Sequence, residues 1–146
     1  MLHKDLGSQI KPAGPFAHHL VAGAASDNVE KKGAAIDRTG CMSAATRVPW
    51  RATLAAAATL TLTVKRYEAD TEAGLSGASP TTVKAATVVK TGACTDATGV
   101  LEMDESLSPL KRFVQYSVTA DLSAGSVDDA DYGLITELGG SVDLPV

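Results

Sequence analysis

The chain has 146 residues, enough for one domain with a single modest core. Its apolar share is 45% but only 4% is aromatic, so much of the core is alanine, and small side chains gain little at about 25 cal/mol per Å² of apolar area buried. A net charge of −4 argues against a phosphate-binding surface and hence against nucleic acid as a partner, and no apolar run approaches the roughly 20 residues of a membrane span.

The first residues, Met1-Leu2-His3-Lys4-Asp5, lack the apolar core of a signal peptide. Without an export signal, Cys41 and Cys94 read as reduced thiols rather than a disulfide. Residues 1–35 hold Pro12, Pro15 and many Gly and Ala with no sustained period, and are expected to form an extended arm ahead of a β domain over 36–146. His18 and His19 with His3 raise the question of a metal site. Adjacent residues in an extended segment point to opposite sides, however, and the pair reads as solvated histidines.

Residues 27–44 look like a charged loop in which Ile36 and Met42 make short extended contacts to a core and Thr39-Gly40 turns the chain. A strand over roughly Ser43–Val48 is expected to stop at Pro49, which cannot donate to a ladder. Trp50 follows, as a core or rim anchor or as an interface hot spot. Ala55–Ala58 reads as a small-residue approach to the clearest strand of the chain, Thr59–Tyr67. There Leu60, Leu62 and Val64 alternate with Thr61, Thr63 and Lys65, so one face is apolar and the other polar.

Residues 69–80 form a turn-rich loop, and Thr81–Lys90 is a strand without clean alternation, with room for a bulge or a helical turn. Thr91–Thr98 reads as a polar loop carrying Cys94, and Val100–Asp104 sets Leu101 and Met103 against two carboxylates. Phe113–Thr119 is the second clear strand, with Val114, Tyr116 and Val118 on one face, expected opposite Leu60, Leu62 and Val64. Ala120–Ala130 reads as a loop, and Tyr132–Leu138 as a last strand stopped by Gly139-Gly140. Strands separated by turn signals, with no long amphipathic helix, predict an all-β antiparallel β-sandwich or jelly-roll-like domain.

The sequence contains no nucleophile elbow, phosphate loop, zinc-helix motif or C-x-x-C pair, and no enzyme or cofactor is expected. Asp128, Asp129 and Asp131 share a segment, but calcium wants roughly six to eight oxygens and the spacing fits no calcium-loop pattern. They read as a solvated turn, and no metal is assigned.

The run Gly33–Ala44, then Ala52-Thr53-Leu54 and Leu60–Lys65, resembles small structural proteins encoded with the head genes of tailed bacteriophages; Phe113–Ser123 and Leu138-Gly139-Gly140 continue the likeness. The chain departs from that pattern around Gly74-Leu75, where an aromatic is expected. The resemblance implies a capsid cement or decoration protein, a virion subunit assembled in the host cytoplasm. Its implied partner is the major capsid protein, and it would be a homo-oligomer, dimer or trimer, on the capsid lattice. It places the lattice contact on the arm, including Phe16, His18 and His19, supported by Ile36, Asp37, Arg38 and Trp50. A phage tail or head-tail connector protein is the alternative. A carbohydrate-binding module comes third, because one Trp, three Tyr and two Phe are a thin aromatic supply.

Overall fold

The computed structural model describes residues 11–21, 27–123 and 128–140. In chain order its strands are β1 (Lys11–Val21), β2 (Glu30–Lys32), β3 (Ile36–Asp37), β4 (Ser43–Leu54), β5 (Thr59–Ala69), β6 (Thr81–Thr91), β7 (Cys94–Ser106), β8 (Phe113–Leu122) and β9 (Asp129–Gly139). One sheet has the order β1-β9-β4-β7; the other has β2-β8-β5-β6, with β3 also on β8.

All the pairings are antiparallel and nested: β1 with β9, β2 and β3 with β8, β4 with β7, β5 with β6. The chain is therefore one long hairpin. Rolling it over brings β4 against β9 and β5 against β8, which closes a two-sheet jelly roll.

Alternation in β5 and β8 does what it predicts. Leu60, Leu62, Val64, Val114, Tyr116 and Val118 are all at most 1% exposed. The two strands lie side by side in one sheet, with Val64 beside Val118, rather than opposite each other. Across the core stand Ala44, Val48, Ala52, Ala130, Leu134 and Leu138 of β4 and β9. The alanines of this second face complement the larger Leu, Val and Tyr side chains of β5 and β8, as close packing requires.

Three boundaries differ from expectation, each for a physical reason. β4 runs straight through Pro49 as a central strand. Its ladder to β9 breaks off after Arg47 opposite Ile135 and resumes at Trp50 opposite Tyr132, so the missing N–H falls in a gap. β7 begins at Cys94, making strand of residues expected as loop, because β4 pairs with it along nearly its whole length. β9 likewise begins at Asp129, where β1 and β4 both pair with it. Ala55–Ala58 is a tight turn, closed by the Ala58 N–H donating to Ala55 at 3.2 Å, with Ala57 at φ 65°.

Of the expected arm, residues 1–10 and 22–26 lie outside the described residues; Lys11–Val21 is an edge strand on β9, and Glu30–Lys32 one on β8. The loop after β5 holds a 3-10 turn, Ala73–Gly77, that folds Leu75 onto Tyr67 and Ala69 as a second small apolar cluster. This covers one end of the face that Thr61, Thr63 and Lys65 continue. Leu75 thus fills a buried place at 3% exposure.

Candidate functional site

The expected contact residues separate into two groups. Phe16, His18, His19 and Trp50 gather on β1 and β4, either side of β9. Ile36, Asp37 and Arg38 lie at the β3 edge of the other sheet. Ile36 is 5% exposed and its side chain belongs to the core. Asp37 accepts hydrogen bonds from Arg112 and Thr39, and these hold its carboxyl well below the usual carboxylate range. Arg38 donates to the carbonyls of Leu110 and, at 2.7 Å, Lys111. Together these bonds tie β3 to the segment before β8.

In the first group, His18 faces inward and its ring meets Tyr132 edge-on at 5.6 Å. Burial, then the nearby Lys31 and His19, lower its pKa from the ordinary 6.5. His19 points out, its Nδ1 2.7 Å from Asp131. The two histidines take opposite sides of the strand, as their adjacency requires. Trp50 lies over Gly99, the residue opposite it on β7: a Cβ there would come within 2.4 Å of the indole. Glycine at 99 is what gives the ring its seat.

On the outer face of the four-stranded sheet, Ala17, Pro49, Val100 and Ile135 surround Gly133 in an open, mostly aliphatic groove of about 820 Å³. Gly133 makes it possible, because a Cβ there would meet the Phe16 carbonyl oxygen at 2.8 Å. Val100 is 52% and Ile135 39% exposed. Polar pairs rim the groove: the ion pairs of Arg51 with Asp96 and of Arg47 with Glu102 and Glu137, and the hydrogen bond between His19 and Asp131. An apolar centre with a charged rim is the anatomy of a protein contact. Single exposed apolar residues on three strands, β4, β7 and β9, leave no pattern in sequence, so only the register assembles them.

The three aspartates do not converge. Asp128 is buried and accepts the Ala55 N–H at 2.6 Å, while Asp131 is exposed and holds His19. Among the described residues no group of three or more His, Cys, Asp and Glu is placed to hold a metal ion. Cys41 and Cys94 are both free thiols.

On the other sheet Glu30 accepts hydrogen bonds from Tyr67 at 2.8 Å and Ser117 at 2.5 Å. Burial alone would raise its pKa, but these bonds, with Lys65 and Lys32 nearby, lower it overall. Tyr67, Tyr116 and Tyr132, the three tyrosines of the chain, are all pushed up to about 12, each chiefly by burial and Tyr67 also by Glu30. Their unfolded value is about 10. Folding therefore favours the neutral phenols, a contribution fully present below about pH 10 and lost as pH rises toward about 12. An ultraviolet titration is expected to show no phenolate near pH 10, with ionisation and unfolding appearing together above it. A tyrosine titrating near 10 in the folded protein would contradict this burial.

No protein-family model matches the chain, and no curated protein matches it. Solved structures similar to it in fold include two of a virus capsid protein's particles. A structure of infectious bursal disease virus, Gx strain, is similar at a TM-score of 0.51 and 12% identity over 94% of this chain and 34% of that one. The VP2 subviral particle of infectious bursal disease virus gives a TM-score of 0.51 and 11% identity over 94% and 34%. The chain thus spans about a third of the length of the viral chains it matches.

Proposed function

We propose that this domain is a structural subunit of a virus particle, a cement or decoration protein that binds and stabilises a tailed-phage capsid. The observation that carries the reading is the aliphatic groove on the outer face of the four-stranded sheet, displayed on a jelly roll. That architecture serves viral capsid domains, and its likeness to particles of infectious bursal disease virus supports the same role. The groove, with Pro49, Val100 and Ile135 at its centre, docks on the major capsid protein while the rim pairs set orientation.

The work is done by mass action. A subunit that binds only the assembled shell stabilises it by about 2.7 kcal/mol per site at a hundredfold excess over Kd. Repetition over the lattice multiplies weak contacts. Lectin domains also use jelly rolls, but sugar stacking needs an open aromatic face. Here Tyr132 is 3% exposed and Trp50 lies against Gly99.

Co-sedimentation with expanded capsids tests the reading. The intact chain is expected to bind, and Val100→Asp with Ile135→Asp to weaken binding about a hundredfold or more, since a charge buried at a contact costs several kcal/mol. Binding unchanged by both substitutions would exclude the groove. Saturable glycan binding in place of capsid binding would overturn the proposal. Deleting residues 1–30 is the poorer test, because it strips β1 from β9.

A further inference from the structure

The two free edges on one flank of the sandwich carry opposite charge. β6 ends one sheet and β7 the other. Gly92, at φ 80°, turns the chain from the first directly into the second, so both edges border the same side. β6 has Lys84 and Lys90 and no acid; β7 has Asp96, Glu102 and Asp104 at its surface and no base, its Glu105 being turned inward to Arg66. Neither lysine has an ion-pair partner among the described residues, whereas Glu102 and Asp96 hold their arginines in the open, 68% and 58% exposed. The two most exposed large apolar side chains among the described residues lie on these same strands, Val88 at 55% and Val100 at 52%.

The opposite flank is guarded by other means. β2 and β3 are only three and two residues long, and β1 contains Pro12 and Pro15. β6 and β7, at 11 and 13 residues, are long edges with nothing over them among the described residues.

We propose that this flank is a self-association surface. Two copies meet about a two-fold axis parallel to the strands, and the basic β6 of each lies along the acidic β7 of the other. Such an axis puts each β6 in line with the β7 of the second copy, running antiparallel to it, so both seams form together and the assembly closes as a dimer. β7 against β7 would set acid on acid, and β6 against β6 lysine on lysine. β6 carries three register irregularities against β5, so side chains rather than a regular backbone ladder carry the seam. Val88 and Val100 lose water exposure across it. The proposal does not rest on the virion reading; because Val100 also lines the groove, the two are told apart by Lys84→Glu with Lys90→Glu, which lie outside the groove and should weaken dimer formation alone.

Sedimentation equilibrium is the test, with a charge swap. The wild-type chain is expected to be a dimer that weakens as salt is raised. Lys84→Glu with Lys90→Glu, and separately Glu102→Lys with Asp104→Lys, should each weaken self-association about a hundredfold or more, because like charges then face each other on both seams. Mixed in equal amounts, the two variants should form a heterodimer, since both of its seams are again complementary. That result also establishes that each variant is folded. A monomeric wild-type chain, a dimer indifferent to salt, or folded variants that stay apart on mixing would each overturn the proposal.

Discussion

Replacing Glu105 by alanine is expected to cost about 3–5 kcal/mol of stability, the usual loss when one member of a buried ion pair is removed. Arg66 is 8% exposed and reaches from the five-stranded sheet to Glu105 on β7. The Tyr116 hydroxyl donates to the same carboxylate at 2.7 Å. Glu68 stands 4.0 Å from Arg66, too far to replace Glu105. Glu105→Ala therefore leaves a guanidinium and a phenol without their acceptor between the sheets. The double change Arg66→Met with Glu105→Leu should recover most of the loss, because it removes the charge along with its partner. Urea unfolding of the two variants, at an unchanged m-value, checks both halves. A single variant within about 1 kcal/mol of wild type would show that water reaches Arg66 freely.

The second large effect lies in the middle of β5. Leu62→Ala should cost about 2–5 kcal/mol. Leu62 is fully buried, and the sheet across the core presents alanines at 44, 52 and 130, whose methyl groups cannot move into the space left behind. Thr63→Ala, one residue along and on the outer face, should stay within the roughly 1 kcal/mol span of strand propensities. Equal losses at the two positions would contradict the alternation that defines the strand.

That alternation is also where the fold was most legible. Leu60, Leu62 and Val64, like Val114, Tyr116 and Val118, announce a buried face because each strand has one wet side. Period 2 tells which side a residue faces, not which strand lies beside it. β5 and β8 therefore read as opposite when they are neighbours. Pro49 read as a strand end because its tolerance depends on a gap in the ladder to β9, a property of two distant segments. The Thr, Ala and Gly of Cys94–Gly99 have no apolar period of their own and become strand through pairing with β4.

The candidate site was less legible still. The opposed directions of His18 and His19 followed from adjacency alone. The groove did not, since Pro49, Val100, Gly133 and Ile135 are unremarkable one by one and meet only through the register of three strands. Tyr67 shows the converse case: it stands on the outer face of its sheet yet is 5% exposed, because Leu75 folds back over it.

The nested hairpin also bears on time. Its innermost rung, β5 with β6, joins residues a short loop apart, whereas its outermost pairs Lys11 with Leu138. Each successive rung must close a longer loop, at an entropic cost that grows with the logarithm of loop length. Chains dominated by such distant pairings fold in about milliseconds to seconds. Zippering is cheapest from the β5–β6 tip outward, which leaves β1 as the last strand to settle and the first to come away.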